Sequence, residues 1–175
     1  MTTYVGTRAP RDHSVEKVTG GAVYGDDVAL PGMLHGAVLR SPYPHARIVS
    51  IDTSAALAAP GVEIVVTGRD FPLLFGAAIQ DQPFLAIDRV RYVGEPVVAV
   101  AAATEAQAQE ALDLIRVDYE ELPAVVDMRA ALDPDAPLVH PDLHTYKRGP
   151  SDIVPHTNIN TLYNYERGDV DAGFA

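Results

Sequence analysis

Cysteine is absent from all 175 residues. That excludes disulfides, cysteine-ligated zinc, iron–sulfur ligation by this chain and thiol catalysis. Lysine is nearly absent: only Lys17 and Lys147 occur, and the net charge is −11. Such a field repels phosphate backbones and anionic lipid, which disfavours nucleic-acid and membrane-surface roles. No apolar run approaches the roughly 18 residues of a membrane span, and MTTYVGTRAPRDHSVEKVTG lacks a signal-peptide core. A soluble, cytoplasmic protein is expected. The chain also has no G-x-S-x-G elbow, no G-x-G-x-x-G fingerprint and no G-x-x-x-x-G-K-S/T loop. GGAVYGD shares only glycines with the last of these, and lacks the lysine that would reach a phosphate.

What is present is ordinary globular material. With 47% hydrophobic and 21% charged residues, the chain can bury a core for one domain, or one domain plus an extension. Residues 1–20 are polar and read as an N-terminal arm. Pro31-Gly32 turns the chain into an apolar run, Met33 to Leu39, that suits a largely buried strand. RIVSID reads as a short strand. Asp52, Thr53 or Ser54 can cap an alanine-rich helix stopped by Pro60-Gly61, and β-branched VEIVVTG reads as the returning strand. Residues 47–67 thus form one strand–helix–strand unit.

A second unit spans 97–119. Val97 to Ala102 is a continuous apolar strand, and Thr104 with Gln107 has capping-box spacing. Ala108, Ala111, Leu112 and Ile115 recur at helical spacing, which predicts one buried stripe. IRVDYE then alternates as a strand. Between the units, a proline-punctuated loop over 69–86 supplies apolar anchors in place of regular structure. The expected fold is α/β: helices packed on a sheet, followed by a proline-rich extension.

After Leu132 the pattern changes. DPDAPLVHPDLHTYKRGPSDIVPHT holds five prolines in 25 residues, so it is expected to cross a surface or link domains. INTLYNYE alternates with period two, and RGDVDAGFA opens a turn or short helix. No closing element follows, so the chain is expected to be part of a larger protein, with 133–175 leading into a further domain.

Chemistry is sparse. His140 and His144 have metal-helix spacing, but Pro141 between them argues for two loop histidines. His35 lies on an apolar strand and reads as a satisfied core or interface histidine. Asp118, Glu120 and Glu121 flank Tyr119 as an exposed strand face, with nothing to set two carboxylates across a cleft. A biotinyl or lipoyl carrier would need a lysine at a hairpin tip, which neither Lys17 nor Lys147 provides. Read from the residues alone, the chain is a scaffold.

Several stretches in order, PGMLHGAVLRSP, HARIVSID, VRYVGEPV and VDYEELPAVVD, resemble the α/β hammerhead domain. That domain opens the molybdenum-binding large subunit of the xanthine dehydrogenase/aldehyde oxidase family. Its members include carbon monoxide dehydrogenase, 4-hydroxybenzoyl-CoA reductase and nicotinate dehydrogenase. The resemblance places the hammerhead over residues 21–132, and ERGDVDAGFA resembles the lead into the next domain. It implies molybdopterin-bound molybdenum in the complete large subunit, with 2Fe–2S clusters and FAD on partner subunits or domains. Water would supply the oxygen inserted into aldehydes, N-heterocycles or related substrates. In the family, the pterin-binding loops and the base glutamate lie beyond the hammerhead. No catalytic, cofactor-binding or metal residue is therefore carried onto positions 1–175, and the chain alone is expected to be inactive. The alternative is a free-standing, non-enzymatic interaction module. LRSPYPHARI offers the candidate interface to the rest of the large subunit or the iron–sulfur subunit. Its Arg40, Tyr43, His45 and Arg47 are pre-ordered by two prolines.

Overall fold

The computed structural model describes residues 6, 8, 11–148, 154, 156–163 and 165–174. Parts of the expected arm (1–5, 7, 9–10), of the proline-rich segment (149–153, 155) and of the last stretch (164, 175) lie outside them. The chain divides into two units, 1–33 and 34–175. In the first, the expected arm carries a short helix, α1 (Ser14–Thr19). His13 Nδ1 bonds the Glu16 carboxylate at 2.7 Å, and Gly20 ends the helix as the Gly21 amide returns to the Glu16 carbonyl at 2.8 Å. None of the described residues of this unit is buried.

The second unit contains β1 (His35–Arg40), β2 (Ala46–Asp52), α2 (Ser54–Leu57), β3 (Val62–Thr67), β4 (Leu74–Phe75) and β5 (Gln82–Pro83). It continues through β6 (Arg89–Val90), β7 (Pro96–Ala102), α3 (Glu105–Asp113), β8 (Arg116–Glu121) and α4 (Val170–Phe174). Both strand–helix–strand units form where their patterns place them. Their strands, however, do not return to one sheet. The first sheet has the order β1-β7-β3 and the second β6-β2-β8, with every pairing antiparallel. Each helix thus carries the chain across: α2 from the second sheet to the first, α3 from the first to the second. A local β–α–β pattern reads the same in either case.

One core joins the two sheets. Ala46, Ile48 and Val90 from the second share one buried cluster with Val97, Val98 and Val100 from the first and with Ala111, Leu112 and Ile115. The expected stripe is buried, Leu112 to 8% exposure. Each fully buried aliphatic side chain here contributes at most about 1.5–3 kcal/mol. Thr104 Oγ1 accepts from the Gln107 amide at 3.2 Å, and its hydroxyl donates to the Gln107 side chain at 3.0 Å. The Gln107 carboxamide is thus engaged by the Thr104 hydroxyl, and it lies against Gly61. Thr53 takes the N-cap position of α2 without a side-chain cap, and Asp52 Oδ1 just before it accepts from both the amide and the hydroxyl of Ser54. Those bonds hold the Asp52 carboxyl below its ordinary value.

Two expectations about burial fail. The Met33–Leu39 run is largely exposed, with Ala37 and Leu39 only half-buried, because β1 is an edge strand whose outward face is uncovered. His35 is exposed, which removes it from the core. In the 69–86 loop a small β4–β5 hairpin forms, yet Phe71, Leu73, Phe75 and Phe84 are exposed. The buried anchors there are Ile79, at 5% exposure, and Ala86, at 1%, which joins the core.

The extension folds back on its own unit. Lys147 O accepts from the Gln80 amide at 2.8 Å, Arg148 bridges Ile79, and Leu143 is buried. Asn158 is a hub: its Oδ1 accepts from Val139 N at 2.9 Å and its Nδ2 donates to Pro137 O at 3.0 Å.

Candidate functional site

Three of the segments that stand out in the sequence meet in one place: LRSPYPHARI, RYVGEPV and VDYEELPAVVD. The Ser41 amide donates to Glu95 O at 2.9 Å, and the Gly94 amide returns to Ser41 O at 2.8 Å. Arg40 Nη1 donates to Gly94 O at 2.9 Å. Gly94 sits at φ +90°, a conformation that glycine adopts freely and that reverses the chain here. Pro96 then opens β7, where a missing amide costs no ladder bond. Glu95 between them is buried, and its carboxylate accepts from the Arg91 amide. Burial pushes that carboxyl above its ordinary value, against the lowering effect of the Arg91 bond.

The third segment is sealed to the first. His45 Nδ1 donates to Pro123 O at 2.7 Å, and the Leu122 amide donates to His45 O at 2.9 Å. Tyr43 packs on Tyr119, ring centres 5.1 Å apart and tilted by 55°. Arg47 Nη2 pairs with Glu120 Oε2 at 2.5 Å. Of the four expected interface residues, Arg40 and Arg47 keep exposed side chains, Tyr43 is half-buried and His45 is buried at 8% exposure. His45 therefore faces inward and ties the loop to Pro123. Each of the four already has a partner within the unit, and together these contacts hold the loop in one shape.

Beside this junction lie two clefts of about 350 and 480 Å³, which share Asp81, Val139 and His140. His140 rests edge-on against Tyr146, its Nδ1 3.2 Å from the phenol oxygen. Burial, and then the positive charge of Arg91, push its pKa down. His144 instead lies toward His156, ring centres 6.3 Å apart. The H-x-x-x-H spacing thus does not converge, since the segment around Pro141 is a turn leading into a single 3-10 turn at Leu143–Thr145. Among the described residues, no three His, Cys, Asp or Glu side chains gather as metal ligands. With no cysteine in the chain, the residues present do not fit an iron–sulfur centre.

Sequence reasoning missed Glu95 and Asn158. The first was detectable, because a carboxylate wedged between a turn glycine and a proline has main-chain amides at hand. The second leaves no local signal; its partners are 19 to 27 residues away.

The model of the aldehyde oxidase and xanthine dehydrogenase a/b hammerhead domain matches residues 19–123. The chain belongs to this family. It is 46% identical over 160 residues to a probable xanthine dehydrogenase component of Bacillus subtilis (strain 168), covering 90% of this chain and 20% of that protein. It is 43% identical over 163 residues to the nicotinate dehydrogenase large molybdopterin subunit of Eubacterium barkeri, covering 92% and 35%. The quinoline 2-oxidoreductase structure from Pseudomonas putida 86 superimposes with a TM-score of 0.69 at 44% identity, over 78% of this chain and 19% of that one. The chain thus spans between a fifth and about a third of the curated relatives it matches here. The hammerhead expected from the sequence is the fold observed. Among the described residues, no helix is long and apolar enough to cross a membrane.

Proposed function

We propose that this chain is an architectural domain of the large subunit of a molybdenum-containing hydroxylase or dehydrogenase. It would contribute shape and contacts, not a reacting group, to the oxidation of aldehydes, N-heterocycles or related substrates. The observation that carries the reading is the hammerhead match over residues 19–123, which contains both crossover units and the sealed junction. On this reading residues 21–132 are the hammerhead and 133–175 lead toward a further domain. Pterin-bound molybdenum belongs to the rest of the large subunit, while 2Fe–2S clusters and FAD belong to partner subunits or domains. The assembly works in the cytoplasm.

The junction supplies the contact surface. Arg40 and Arg47 hold exposed guanidinium groups at its rim and Tyr43 its ring, with His45 positioning the loop from beneath. Rigid loops lose little entropy on docking. The test is to purify the tagged chain with its native assembly. The expected result is a co-purifying molybdenum-containing polypeptide with iron–sulfur and flavin absorbance. Tyr43→Ala with Arg47→Ala should lower that recovery and leave the chain's own melting temperature nearly unchanged. Recovery without any molybdenum polypeptide overturns the function; undiminished recovery by the double variant removes the junction from the interface.

A further inference from the structure

The outward face of the first sheet is built from two cross-strand rows. Gly36 on β1 lies opposite Ala101 on β7, which lies opposite Ile64 on β3; Val38, Ala99 and Val66 form the next row. Residues directly opposite one another point to the same side of a sheet. All six are uncharged, in a chain carrying −11. Val38 and Ile64 are 37% and 50% exposed. Down the middle strand runs alanine: Val38 and Val66 stand on either side of Ala99, and Ile64 stands beside Ala101, leaving a trough open at Gly36. Neighbouring strands are about 4.8 Å apart, so β1 and β3 stand roughly 9–10 Å apart across this trough. An α-helix with its side chains is about 10–12 Å wide.

The sequence of the middle strand carries the same message. PVVAVAA in β7 has no polar residue at any position, the pattern of strands covered on both faces, whereas a sheet with one wet face alternates. The other side is already covered, by α3 packed on β1, β7 and β3. From these observations we infer that the open face of the first sheet is covered by an uncharged helix from the remainder of the large subunit. The inference rests on the proposed function. The size of that remainder supports it. Relatives that align with 90% or more of this chain, these strands included, devote only 20–35% of their length to it. Permanent interfaces within one subunit are also the apolar kind.

The absence of cysteine makes the test clean. Ile64→Cys, and Val38→Cys as a second site should the first variant fold poorly, each introduce one thiol on this face. Maleimide labelling is followed by mass spectrometry of the tagged peptide, in the chain alone and in the assembled enzyme. The expected result is rapid labelling alone and at least about tenfold slower labelling in the assembly, as burial of an exposed thiol produces. Labelling at the free rate within an assembly that does contain molybdenum overturns the inference and leaves the proposed function standing. An assembly that never forms with a molybdenum polypeptide overturns both. Protection that appears in the chain alone and grows with its concentration identifies a second copy as the occupant, and also overturns the inference.

Discussion

The two sheets bury their inner faces in one core and treat their outer faces in opposite ways. The first shows Gly36, Val38, Ile64, Val66, Ala99 and Ala101, without a charge. On the second, Arg47 faces Glu120, Ser50 faces Asp118 and Asp52 faces Arg116 across the same strand pair. Two of those rows close at 2.5 Å, the Arg47–Glu120 ion pair and the Ser50–Asp118 hydrogen bond. A face that meets water satisfies itself with cross-strand polar pairs. A face with none of them, centred on the uninterrupted apolar strand β7, has the composition of an interior. The outer surfaces of this domain are thus suited to two environments, and the fold's own stability draws mainly on the shared inner side.

The largest expected effect is therefore at the shared core. Leu112→Ala and Ile115→Ala should each cost about 2–5 kcal/mol in a urea melt, as buried aliphatic truncations do. A harmless Leu112→Ala would break the comparison, because the helix would no longer belong to the shared core. A smaller, pH-dependent effect belongs to Glu95. Burial raises its carboxyl, so the folded chain holds that proton more tightly than the unfolded chain. Its stabilising contribution is full below the ordinary value of 4.5 and is lost as the pH rises through the raised one. Glu95→Gln should flatten this part of the stability curve between acidic and neutral pH; an unchanged slope would show that Glu95 titrates as it does in solution. The smallest effect is on the charged face. Both Arg47 and Glu120 are more than half exposed, and a double-mutant cycle on them should give about 0.2–1 kcal/mol, shrinking with added salt. A larger, salt-insensitive coupling would make that face structural after all.

Much of this was legible in the sequence, for identifiable reasons. The stripe of Ala108, Ala111, Leu112 and Ile115 follows helical period, and Val117 and Tyr119 follow strand period, so both announce which side is inside. The resemblance carried by VRYVGEPV and its companions placed the family. What was illegible depended on distance. Nothing in residues 47–67 says that β2 and β3 belong to different sheets, since β8 and β7, the strands they pair with, begin only at Arg116 and Pro96. Nothing in GMLHGAVL distinguishes an apolar strand that is covered from one that awaits a cover. At the candidate interface the residue types were read as contacts, but His45 turned inward because the Pro123 carbonyl, 78 positions away, accepts its ring proton.

If the junction and its two sheets serve architecture alone, the chain holds no redox centre of its own. The most direct measurement is metal analysis with an absorption spectrum on the chain after separation from its assembly. A folded, colourless protein with no molybdenum, iron or flavin is the expected result. One molybdenum per chain, retained through purification, would contradict the architectural role.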